Sequence, residues 1–400
     1  MPAKPHPATD RAATTDRLPL RRRLLPVIAL LLLAPWAAEC SWGGFALDDF
    51  LPVLIFLGPM YGGAAILIRE TARHLGAGWP TIVLLAAAFG VLQAGLVDQS
   101  LFNPDYLDDT QYADTRSAAE ATLVPGLDFS LRQAFDYVGN HIVLTICAPI
   151  VLIESFLGSD RRLRPWLARP GLTVIGVIYL LGSLLIFSDS SGRKGFLASP
   201  LQLAFAAVVV LALIAAALLP RWRHPRPRPA ETGTARRRDR VPHPLWIGAV
   251  VVLVRIGADL TPGWAGVAIA LALAAAVGGL IAYWSSRGGW GQRHVLAAGT
   301  ASLVSAAAFA YLVPPYSPAS PAAALAGDVA VTIITVALVG GAWWRLRYRC
   351  RPPSRNPPSP RPHADARTGP SVSSEVPGLR RAVGRAGRRT PRPGPGPRRR

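Results

Sequence analysis

Cysteine is scarce in this chain: Cys40, Cys147 and Cys350 are the only three among 400 residues. Three thiols cannot build a secreted disulfide scaffold, and without a Cys-x-x-Cys pair there is no ready redox or zinc site. The signatures of soluble enzymes are missing as well, with no Gly-x-x-x-x-Gly-Lys and no His-Glu-x-x-His. Ser191-Gly192-Arg193-Lys194 spells Ser-x-x-Lys but lacks the motifs that accompany it in acyl-transfer enzymes, so it carries no weight. No catalytic residue, cofactor or metal site is expected. Charged residues are few at 16%, too thin a supply to coat a soluble surface of this size. No repeat relates residues 1–220 to 245–344, which removes one mark of inverted-repeat transporters.

What is abundant is apolar sequence: 51% of residues, with a mean hydropathy of +0.30 despite polar ends. A helix crosses the hydrocarbon core in about 20 residues, and only helices or closed barrels satisfy every backbone group there. Stretches of that length recur at 22–39, 51–69, 80–101, 137–157, 172–188, 200–220, 244–261, 264–284, 295–313 and 326–344. Their unbroken Leu, Ala, Val and Ile content excludes the alternation of barrel strands. The expected fold is all-α, a polytopic integral membrane helix bundle of about ten transmembrane helices. Segment 22–39 has the basic start of a signal peptide but no clean small-x-small site, so it reads as an uncleaved first span.

The charge is sorted by position. Three basic blocks, 1–23, 221–244 and 345–400, hold most of the 43 Lys and Arg, while the rest of the chain is slightly acidic. Basic residues stay on the cytoplasmic side. With the N-terminus inside, the inner segments hold 38 of them and the outer loops 4, Arg116, Arg132, Arg193 and Lys194. All 11 tryptophans fall at or just beyond a span end, where an amphipathic ring meets the headgroups. The organisation follows: a cytoplasmic tail at 1–21, six spans in 22–220 with an acidic outer loop at 103–136, an Arg/Pro-rich linker at 221–244, four spans in 245–344 and an Arg/Pro-rich tail at 345–400. Both termini are placed in the cytoplasm, at a bacterial plasma membrane. The tails and linker are too poor in aliphatic residues to fold alone and are expected to remain disordered. Besides the bilayer itself, their expected partner is anionic lipid rather than nucleic acid. Arginine outnumbers lysine 41 to 2, which looks like a high-GC genome bias and weakens any argument from arginine alone. Oligomeric state is not legible.

Polar residues within apolar helices are costly and are candidates for function. Gly58-Pro59 interrupts the second span and Pro149 the fourth; proline removes a helix hydrogen bond at each place. On the third span Ala87, Gly90, Ala94 and Asp98 share one face, which turns Asp98 toward a neighbouring helix. Ser130 and Gln133 have capping-box spacing, so the fourth helix is expected to start near Leu131. That places His141 near the depth of Asp98, with Thr145 one turn deeper and Gln93 and Asn140 able to join the layer. Asp98 and His141 are expected to form one site for a small solute or ion. Arg255 and Asp259, four apart, are expected to pair structurally. Glu154 falls near Arg69, Glu70 and Arg73, as a structural ion cluster.

The run Tyr61-Gly62-Gly63, then Arg69-Glu70-Thr71-Ala72-Arg73, Gly78-Trp79-Pro80 and Gly95-Leu96-Val97-Asp98-Gln99-Ser100-Leu101-Phe102-Asn103-Pro104, resembles an uncharacterised family of actinobacterial multi-pass membrane proteins. The resemblance covers about 45 residues and implies no activity. Intramembrane prenyl-protein proteases use Glu-Glu-x-x-x-Arg, and here Glu70 has no second carboxylate beside it. The reading favoured is a permease-like or ion-coupled transporter. An intramembrane enzyme acting on a lipid or lipid-linked substrate, and a non-catalytic scaffold or sensor, stay open as alternatives.

Overall fold

The computed structural model describes residues 19–192, 195–223, 241–258 and 260–348. Most of the 1–21 tail, most of the 221–244 linker, the 345–400 tail beyond Tyr348, and Asp259 lie outside the described residues. The chain is all α. Helix α1 (Leu20–Pro35) runs on through a π-helical turn at Trp36–Cys40. Helix α2 (Phe50–Leu57) continues through a π turn at Gly58–Gly62 into α3 (Gly63–His74). Helix α4 (Trp79–Leu92) ends in a π turn at Gln93–Val97. After a short α5 (Arg116–Glu120), α6 (Leu131–Asn140) passes through a π turn at His141–Cys147 into α7 (Ala148–Ser155). Then come α8 (Ser159–Arg162), α9 (Arg169–Gly192), α10 (Pro200–Ala217), α11 (Pro244–Ala258), α12 (Gly263–Ser285), α13 (Gln292–Phe309) and α14 (Pro321–Tyr348).

Among the described residues nine helices are long and apolar enough to cross a membrane. The stretch expected as a span at 244–261 forms the 15-residue α11, about 22 Å at 1.5 Å per residue, against a hydrocarbon core of about 30 Å. Thr261-Pro262 and Gly263, with φ of +68°, turn the chain there. Helix α6 starts at Leu131 behind Ser130, whose hydroxyl accepts the Gln133 amide at 3.2 Å. The outer faces are greasy: Leu181 is 62% exposed, Val208 65% and Val336 66%. Such rows of exposed aliphatic side chains suit lipid and not water, so this is a multi-pass membrane protein.

The first four spans form the centre. Windows of α4 and its π turn are 56% buried, and of α6–α7 61%, while the α9 window is 11% buried. Helices α9 and α10 pack on one side, against α3 and α4, and α13 and α14 on the other, against α7. Gly62 permits a close approach of α1: a Cβ there would lie 2.6 Å from the Leu31 Cα. Gly58 and Pro59 interrupt the α geometry without breaking the helix. The π turn is the local adjustment that absorbs the hydrogen bond proline cannot make. Pro149 likewise follows directly on the π turn at His141–Cys147.

Candidate functional site

Each of the four central spans carries a π turn, and the described parts of the later spans carry none. A π turn inserts one residue, re-aims the side chains beyond it, and recurs at functional sites. These four re-aim polar groups toward each other. Glu39 lies in the first, Tyr61 in the second, Gln93 in the third and His141 with Thr145 in the fourth. Helical side chains lean toward their own N-terminus. Spans one and two are antiparallel, so Glu39 leans into the bundle while Tyr61 leans back toward it, and the Tyr61 hydroxyl donates to Glu39 Oε1 at 2.6 Å.

The Tyr61 ring also packs on His141, with centroids 5.6 Å apart, and Phe89 closes the other side of His141 at 5.5 Å. His141 Nδ1 and Thr145 Oγ1 share a hydrogen bond of 3.2 Å. Gly90 lies against His141: its Cβ would be 3.2 Å from the His141 Cβ. The imidazole is therefore level with Gly90, eight residues before Asp98 on α4 and its π turn, and so deeper than the carboxylate. Asp98 accepts from Gln93 Nε2 at 3.1 Å and from the Ser100 amide at 2.9 Å. It lies within electrostatic range of Tyr61 and Glu39. Tyr61 thus touches the histidine, holds one carboxylate and feels the other. Two carboxylates this close to one phenol, Asp98 buried and Glu39 half-buried, favour a positive charge near them, as a proton or a bound cation.

Gln99 stands just past Asp98 with φ of +56°, a strained backbone for a non-glycine residue, and its side-chain oxygen accepts the Ala198 amide at 2.7 Å. That bend lets Leu101 N return to Ala94 O at 2.9 Å and ends the third span under the long loop.

The loop is clasped over this end of the bundle. Trp42, Tyr112 and Tyr316 form an edge-to-face triangle with centroids 5.3 to 6.0 Å apart. The Tyr112 hydroxyl donates to Pro314 O at 2.6 Å, Gln111 N to Tyr316 O at 3.1 Å, and Tyr316 N to Gly44 O at 2.8 Å. Three separate loops are joined in this way. Tyr106 and Tyr316 lie within electrostatic range of Asp98 and Glu39. Burial, with Asp98 and Glu39 nearby, pushes both phenols well above their ordinary range.

The opposite end is closed by a second polar network. Arg69, Glu70 and Glu154 are buried to 1% exposure or less, and Arg73 to 7%. Glu154 receives Arg69 Nε at 3.1 Å and Arg73 through Nε at 3.0 Å and Nη2 at 2.7 Å. Glu70 pairs with Arg69 and accepts the Trp166 and Leu167 amides at 2.8 Å each. The Arg69 guanidinium also lies 3.5 Å over the Trp166 ring. Two positive and two negative charges balance, and every carboxylate has several donors, which buried ions require.

Of the expected site residues, the structure gathers Gln93 with Asp98 and Thr145 with His141. Asn140 opens instead on a cavity of about 420 Å³, which Arg255, Trp42 and Ser302 also line. The proposed partner of Arg255, Asp259, lies outside the described residues. Sequence reasoning left Glu39 and Tyr61 without a role. Glu39 is the one acidic residue in segment 22–39, and Tyr61 sits inside the glycine-rich interruption, so a signal existed. No group of three or more His, Cys, Asp or Glu able to hold a metal occurs among the described residues. The chain matches no protein-family model, no curated protein and no solved structure.

Proposed function

We propose that the protein is an ion-coupled permease of a bacterial plasma membrane, with the 103–136 loop outside and both termini cytoplasmic, a topology that needs the short α11 to cross as a tenth span beside the nine longer helices. The convergence of four π turns on the Glu39–Tyr61–Asp98–His141 cluster carries this reading. Polar groups cost free energy at that depth, and π turns cost helix hydrogen bonds, yet both are concentrated in the same four spans. The distribution of basic residues supports the orientation. The clasped loops then cover the site from outside, and the Arg69–Glu70–Arg73–Glu154 network seals it from inside. Alternating access needs two such barriers, opened in turn.

The test uses the full chain in liposomes that enclose a pH-sensitive dye, with an inside-negative potassium diffusion potential. Proton or sodium entry above that of protein-free vesicles is expected, and its loss in Glu39→Gln protein that still elutes as a folded species. Fluxes of protons, sodium and potassium all equal to those of protein-free vesicles would overturn the reading.

A further inference from the structure

The acidic pair has a third acceptor beside it. Gln93 is 1% exposed and donates Nε2 to Asp98, but its Oε1 has no hydrogen-bond partner. Because the amide is planar and small, that oxygen is held within a few ångströms of the Asp98 carboxylate. A buried acceptor without a donor is rare in folded proteins and costs about 1–3 kcal/mol. Tyr61 gives its hydrogen to Glu39, Gln99 presents its oxygen to the Ala198 amide, and the Gln99 Nε2 and Tyr137 hydroxyl are likewise buried without a partner.

Four tyrosines lie near these acceptors. Tyr61 adjoins Glu39, and Tyr106, Tyr137 and Tyr316 all lie within electrostatic range of Asp98. Glu39, Tyr106, Tyr137 and Tyr316 are half-buried, lining the interior without being sealed in it. Ring faces attract cations. A lone proton supplies a single donor. A primary ammonium supplies three N–H donors and a full positive charge.

We propose that the ligand of this site is a small organic compound bearing a primary ammonium, its N–H donors shared among Glu39, Asp98 and the Gln93 carbonyl near these tyrosines. The assignment deepens the permease reading and, for transport, rests on it. Recognition by N–H donors separates this site from a general cation site: a quaternary ammonium of equal charge has none to give.

The test is calorimetric titration of the full chain in lipid nanodiscs with benzylamine, benzyltrimethylammonium and benzyl alcohol at pH 7. Benzylamine should bind saturably, and the other two about tenfold or more weakly, the worth of a charge-assisted hydrogen bond. Gln93→Leu should weaken benzylamine about tenfold and leave benzyl alcohol unchanged. Should that variant fail to fold, Glu39→Gln must show the same selective loss. Equal binding of all three compounds, or full affinity in the folded variants, overturns the assignment. Benzylamine binding without uptake into proteoliposomes upholds the site and defeats the permease reading. Ion flux without benzylamine binding does the reverse.

Discussion

Glu154 is the group whose loss should cost the fold most. It is 1% exposed and neutralises two arginines, taking three hydrogen bonds from Arg73 and one from Arg69. Glu154→Leu leaves Arg69 and Arg73 with Glu70 alone, a net buried positive charge. Removing one partner of a buried pair costs about 3–5 kcal/mol, most of it from the charge left behind. Arg73→Met leaves Glu154 with Arg69, so the remaining charge is negative. The double variant restores neutrality, with Arg69 and Glu70 still paired. Its destabilisation should therefore fall below the sum of the singles by about 2–3 kcal/mol, the upper range for residues in one network. The assay is equilibrium unfolding in mixed detergent micelles, followed by tryptophan fluorescence, which Trp166 over Arg69 reports directly. Strict additivity, or a loss under about 1 kcal/mol for Glu154→Leu, would refute the account of a coupled ion network.

Gly62→Ala should destabilise by about 1–3 kcal/mol, because the new methyl meets the Leu31 backbone and no side chain can move aside; thermal unfolding checks this. Burial raises the Tyr112 phenol from its ordinary 10.0 to about 12. The unfolded loop loses that proton first, so the clasp's stability is intact below pH 10 and falls as pH rises toward 12. Limited proteolysis of the long loop should follow that window, and Tyr112→Phe should flatten the dependence. A cysteine placed at Ala118 should react with an impermeant reagent on intact cells, and one at Ala364 should not; the reverse pattern would invert the topology. Tyr61→Phe, which deletes the donor to Glu39 but keeps the ring on His141, should alter the pH dependence of ion flux and cost about 1–3 kcal/mol of stability, the acceptor being left without its donor.

Much of the candidate site was half legible. Asp98, Gln93, His141 and Thr145 stood out because polar residues in apolar helices are few. The small face through Gly90 and Ala94 did indicate an inward orientation, and Gly90 meets span four at Val138 and His141. Their relative depth was not legible. Counting residues from a span end assumes that neighbouring helices start level, and the packing of Gly90 on His141 sets the actual offset. Glu39 was passed over because it ends an apolar run, where a carboxylate ordinarily faces water. Its backward lean and the Tyr61 hydroxyl turn it inward.

Hydropathy alone counted about ten spans where nine described helices are long enough to cross; what the sequence by itself determined is that this all-α chain lives in a membrane and where its fourth helix begins, behind Ser130. Those properties depend on local hydropathy and capping, which neighbours in the chain settle. The tertiary structure alone decided that the proline and glycine interruptions become π turns and that those turns aim at one another. It also decided the pairing within the expected Arg69–Glu70–Arg73–Glu154 cluster, in which Glu154 takes both arginines. A π turn shifts the register of every side chain after it, and which register survives depends on the contacts across helices. Those contacts join residues as far apart as Thr81 and Ala217, 136 positions along the chain, and no local pattern in the sequence encodes them.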